Sequence, residues 1–167
     1  EEQRDAIKYH TNNCLLGFET VEEKDDRITI QNIAEPSAEK YKVILRKMFF
    51  VMISAGRELH EMLATNSLDK DKVRESKRAA ENYANFCRRV IIRERVGGPE
   101  NSYVEFLMVS RIETIGHWFY LIARRIHNRN LKVPKSVVKH LHDANNVVSL
   151  LHEAVFERNL DKAYQVT

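Results

Sequence analysis

The sequence predicts a mainly α protein: an antiparallel bundle of long helices preceded by a small α–β-hairpin piece. Three observations lead there. Apolar residues recur at three- and four-residue spacing through four long segments, the pattern of helices that each bury one stripe. Charged residues make up 31% of the chain, against 5 glycines and 3 prolines, which suits long helices with wet outer faces and few breaks. Near the beginning the apolar period drops to two, in two short runs divided by a polar segment, and that reads as a β-hairpin.

At 167 residues the chain has the size of one domain with a small appendage. Residues 1–35 form the αββ piece, expected to belong to a larger upstream region; residues 36–167 form the helical bundle, expected to be cut short. The net charge is +3 with both signs mixed along the chain, so there is no concentrated basic stretch of the kind nucleic-acid binding needs. Cys14 and Cys87 lack Cys-x-x-Cys spacing and read as reduced, mostly buried thiols of a cytoplasmic protein. The most apolar segment, Met48 to Ala55, falls far short of the ~20 residues of a membrane span, so no membrane insertion is expected. No signal-peptide pattern opens the chain, which begins Glu1-Glu2-Gln3-Arg4 without Met and reads as a piece of a longer protein.

The elements follow in order. Glu1 to about Thr11 reads as a short helix with Ala6, Ile7 and His10 on one side, stopped by Asn12-Asn13. Leu16 to Glu22 alternates, with Phe18 and Thr20 on one face. After a turn at Lys24-Asp25-Asp26, Arg27 to Ile33 alternates again, with Ile28 and Ile30 together. A lone hairpin is marginal in water, so this one needs a helix or further strands against it. Pro36-Ser37 closes the region, and Ser37 with Glu39 makes a helix start.

The first long helix runs to about Thr65 on a stripe of Tyr41, Leu45, Met48, Met52, Ala55, Leu59, Met62 and Leu63. Between Met48 and Ala55 it is apolar nearly all round and should be covered on more than one side; that girdle would also suit a dimerisation scaffold. The second, from about Asp69 to Arg95, carries Val73, Ala80, Ala84, Cys87 and Ile91, and Val96-Gly97-Gly98-Pro99 breaks it. The third, from about Glu100 to Asn128, recurs at Ile115, Trp118, Phe119, Ile122 and Ile126. Pro134 suits the first turn of the fourth, which has Val137, Val138, Leu141, Val148, Leu151 and Val155 inward and runs to about Asn159. Asp161 to Tyr164 looks like the start of another helix. Short connections make such helices antiparallel neighbours.

The candidate chemistry centres on Glu113 and His117, four apart on the third long helix and so one turn above each other. A carboxylate and an imidazole in that arrangement are two of the three or four ligands that zinc or iron takes. Further ligand types stand on the fourth helix, at His140, His142, Asp143, His152 and Glu153, and on the first, at Glu58, His60 and Glu61. The competing reading is an ordinary solvated pair, the commoner fate of Glu and His on a charged helix. Gly97-Gly98-Pro99 is a helix breaker and not a phosphate loop, and neither Gly-x-Ser-x-Gly nor His-Glu-x-x-His occurs. Cys87 lies on an apolar stripe and reads as a core thiol. No catalytic constellation emerges, and no enzyme is expected.

Arg88, Arg89, Arg93 and Arg95 crowd the end of the second helix, and Arg124, Arg125 and Arg129 the end of the third. Cations there complement the helix dipole. The functional alternative is an anion or partner contact at Arg88, Arg89, Arg124 and Arg125. Aromatic interleaving of the kind single-strand binders use is absent.

The run Arg111-Ile112-Glu113-Thr114-Ile115-Gly116-His117 resembles the signature of PhoU-domain proteins, commonly Leu-Glu-Arg-Ile-Ala-Asp-His on the third helix of a three-helix repeat. Leu16 to Glu23, Ile28 to Ile33 and Pro36-Ser37 are similar to the linker that precedes the PhoU helices in archaeal PhoU-like regulators, where an AbrB-type DNA-binding domain usually lies further upstream. The resemblance covers nearly the whole chain. It implies a cytoplasmic regulator of phosphate uptake or transcription that acts by contact with other regulatory or transport proteins and reaches DNA only through a domain not in this chain. A homodimer is the expected assembly. It also implies acidic motifs able to hold iron or zinc. The sequence departs from that pattern: His117 stands where the motif has Asp, and the second helix has Arg78 and Asn82 where acids are expected. Glu113 and His117 are the positions that carry over as metal ligands.

Overall fold

The computed structural model describes residues 2–24, 26–35 and 37–157. The order is α1 (Glu2–Cys14), β1 (Phe18–Glu23), β2 (Ile28–Asn32), α2 (Ala38–Ala64), α3 (Lys70–Glu94), α4 (Ser102–Arg129) and α5 (Lys135–Glu157). The fold is mainly α, with a short helix and hairpin ahead of four long packed helices. The turn residue Asp25, Pro36, and the segment holding Asn159 and Asp161 to Tyr164 lie outside the described residues.

Local chemistry sets the helix ends. Ser37, extended at φ −138°, accepts a hydrogen bond from the Lys40 amide and caps α2. The Asp69 carboxylate accepts from the amides of Asp71 (2.9 Å) and Lys72 (3.2 Å) at the start of α3. α2, α3 and α4 are each followed by a left-handed residue, Asn66, Arg95 and Asn130, which turns the chain; after α2 and α4 loop amides satisfy the last carbonyls. Gly97 and Gly98, both near φ +80°, carry the break between α3 and α4 where a side chain would be strained.

The long helices run alternately up and down. Lys72 of α3 reaches back to Glu58 of α2, Arg88 of α3 to Glu113 of α4, and the His60 ring of α2 packs at a tilt on His142 of α5. α2 and α4 are therefore parallel, and the Tyr41 hydroxyl donates to Glu105 Oε2 at 2.6 Å near the start of both. α2 is the post of the bundle, packing on α3, α4 and α5. Phe49, Met48, Met52, Leu59, Ile112, Val90, Val109 and Cys87 form the driest part of the core. Two glycines permit the close approach. A Cβ on Gly56 would lie 2.1 Å from Asn145 Oδ1 of α5 and 3.1 Å from the Phe119 ring of α4; one on Gly116 would lie 2.8 Å from Met52 Sδ. Asn145, buried at the same crossing, donates from Nδ2 to the Ile53 carbonyl at 3.2 Å.

The stripes of α2 and α3 lie inward as expected, Met62 only half so, joined by Phe49, Phe86 and Val90. The stripe of α4 is corrected. Its buried line is Val109, Ile112, Gly116, Phe119 and Ala123, while Trp118 is 58% exposed and Ile122 also faces out. Both lines have helical spacing, and the inner one is hard to see because Gly116 and Ala123 mark close packing and not bulk. Val137 is exposed as well: the first turn of α5 borders an open cleft beside the end of α2. α1 continues through Asn12-Asn13 to Cys14, and its Ala6, Ile7 and His10 side is exposed while Thr11 is buried. The hairpin is antiparallel with a bulge between Thr20 and Glu22, and α1 and the Arg89 side of α3 supply the cover it needs.

Gly56→Ala should force Asn145 off Ile53 and cost about 1–3 kcal/mol, the usual scale of overpacking, read as a lower urea midpoint with an unchanged slope. His152, packed among Phe49, Phe50 and Phe156, has its pKa lowered, first by burial and then by Arg46, against the opposing pull of Glu153 and Glu157. The unfolded chain then takes up the proton first as pH falls below the ordinary value of 6.5, so this contribution is complete above 6.5 and is lost toward the folded pKa. The urea midpoint of wild type should fall more steeply between pH 7 and 5 than that of His152→Leu; parallel profiles would remove His152 as the cause.

Candidate functional site

α4 presents three different faces, and they decide what its polar residues can do. The inner face is core. The flank toward α3 carries Glu113, whose carboxylate is paired with the Arg88 guanidinium. Arg88 also donates to Ser110 Oγ and Asn85 Oδ1, both at 3.3 Å, and lies over the Phe106 ring. Glu113 is thus held by a charge-assisted bond in a half-buried setting. His117 is exposed one turn further on. Among the described residues no three His, Cys, Asp or Glu side chains gather as a metal would require. His60 and His142 do meet, with ring centroids 5.1 Å apart, beside Lys132, Lys135 and Lys139 in a cleft between α2 and α5. His140, Asp143, Glu58 and Glu61 form no part of a cluster with Glu113 and His117.

The four arginines divide into two pairs. Arg88 and Arg89 are half-buried and structural. Arg89 donates to the Leu16 carbonyl, lies 4.8 Å over the Phe18 ring, and packs on Phe86. Its Nε and Nη1 are buried without a partner, and burial pulls its pKa down. Asn85 adds a bond to the Cys14 carbonyl, and Arg93 pairs with Glu35, so one face of α3 holds the αββ piece. Arg124 and Arg125 are exposed and border a shallow depression with Trp118, Leu121, Ile122, Asn128 and Arg129. Cys87 is fully buried and burial pushes its thiol up to about 12, so it stays protonated as a core residue.

The third face of α4 looks away from every other described element. Val104 is 60% exposed, and Leu107, Trp118 and Ile122 share the same stripe, interrupted by Arg111 and Thr114. Tyr103 and, across the break, Ile92 of α3 extend it sideways. Trp118 and Ile122, expected inside from their spacing, both lie on this face. The missed signal is that α4 has more apolar residues than one buried stripe can take. No helix among the described residues is long and apolar enough to cross a membrane, so this face is not part of a span.

Set against known protein families, curated proteins and solved structures, the chain matches none. The functional reading rests on the geometry above. For the Arg88–Glu113 pair, a double-mutant cycle with Arg88→Met and Glu113→Gln should give a coupling of about 1 kcal/mol, held down by partial solvent screening and only weakly reduced by salt. A coupling near zero would mean the pair does not fix α3 against α4.

Proposed function

We propose that the chain is the helical module of a regulator of phosphate uptake or transcription, similar to PhoU-domain proteins. It is not an enzyme, and it works in the cytoplasm by protein–protein contact. The observation that carries this reading is the outer face of α4: the helix with the PhoU-like run is apolar on the side that no other described element covers, with large residues spaced along its length. Isolated exposed apolar residues are ordinary, whereas a stripe along one helix is the form a docking surface takes. The ties from α3 to the αββ piece support the regulatory half of the reading. A DNA-binding domain joined at α1 would be held by Asn85, Arg89 and Arg93 in a fixed relation to the docking face.

In the source organism, Trp118→Glu should change labelled-phosphate uptake and phosphate-responsive transcription as much as deletion of the gene does, while circular dichroism shows the helices intact. If neither the deletion nor the variant moves either readout, the phosphate reading is wrong.

A further inference from the structure

We infer that the outer face of α4 docks a second copy of the same chain, α4 against α4, antiparallel about a two-fold axis passing between Arg111 and Thr114. This rests on the reading of that face as a protein-contact surface and names its partner. The order of residues along the stripe selects this partner. From its start it runs Glu100, Val104, Leu107, Arg111, Thr114, Trp118, Ile122 and Arg125, all exposed. Folded back on itself at its middle, the stripe is self-complementary. Leu107 meets the partner's Trp118, and Val104 and Tyr103 meet the partner's Leu121 and Ile122. Glu100, in the turn entering α4, meets the partner's Arg125.

A two-fold contact must place each residue opposite its own mate's counterpart, so every match is made twice. Apolar residues oppose apolar ones on both sides of the axis, and at each end a carboxylate opposes a guanidinium. Glu100 and Arg125 form no ion pair with any other described residue, which leaves both charges for such a contact. A parallel pairing in register would instead set Arg125 against the partner's Arg125 and Glu100 against the partner's Glu100. Antiparallel pairing matches about 30 Å of helix at 1.5 Å per residue. At the centre each Arg111 opposes the partner's Thr114, and its long stem lets the charge reach solvent beside the axis.

The test is sedimentation equilibrium on the full chain, with emission from its single tryptophan, Trp118, as a second readout. Wild type should dimerise at micromolar concentration, and its emission should shift red on dilution. Trp118→Glu should weaken the dimer at least about tenfold. Glu100→Arg and Arg125→Glu should each weaken it, and the double charge swap should restore it, with circular dichroism unchanged throughout. If Trp118→Glu breaks the dimer but the double swap does not recover what the single charge reversals lose, the register is overturned. A wild-type monomer, or a dimer indifferent to Trp118→Glu, overturns self-pairing; a Trp118→Glu phenotype in cells would then still support contact with a different protein. A dimer that behaves as expected beside unaltered phosphate uptake would overturn the phosphate reading and leave self-pairing standing.

Discussion

The structure depends on how closely three helices can approach α2. Between Met48 and Leu59 that helix meets α3, α4 and α5 on successive faces, and the contact is tight because Gly56 and Gly116 remove a side chain at two crossings. Interiors pack at crystal-like density, so each crossing fixes the rotation of the helix that makes it. Gly116 against Met52 turns α4 until Val109, Ile112, Phe119 and Ala123 face the core. Asn145 over Gly56, anchored on the Ile53 carbonyl, sets α5 in the same way.

That rotation has a direct consequence for the surface. Once α4 is turned to place Gly116 on α2, Trp118 cannot also point inward, because two residues on lie 200° round the helix. The helix carries apolar residues on both sides, and only one side finds a partner among the described residues. Glu113 is set on the remaining flank, where Arg88 waits. The same constraint that builds the core thus commits the polar pair to structure and leaves the apolar stripe to solvent.

Much of the fold could be read from the chain, and the site much less. The hairpin, the four long helices and their antiparallel course follow from local signals: Ser37 as a cap, Pro134 in a first turn, the Gly97-Gly98-Pro99 break, and the change of apolar period from two to three-and-four. Rotation about a helix axis is a tertiary property. On α4 two apolar lines satisfy the same spacing, and the true one is marked by a glycine and an alanine that a hydrophobic pattern undervalues. The arginines show the same limit. Arg88, Arg89, Arg124 and Arg125 look alike as basic pairs near helix ends, yet the first two are sunk among Ser110, Glu113, Leu16 and Phe18, and the last two are exposed.

The neighbouring positions Arg88 and Arg89 tie two otherwise separate parts of the molecule to one turn of α3. Arg88 reaches α4 through Glu113 and Ser110, and Arg89 reaches the start of the hairpin through Leu16 and Phe18. A shift of α4 along its axis would strain the first contact and, through the rigid backbone of α3, the second. Side chains with half-buried charges resist such a shift more steeply than apolar contacts do, because a displaced guanidinium is left without its partner. One turn of α3 therefore holds both the inward flank of α4 and the start of the αββ piece.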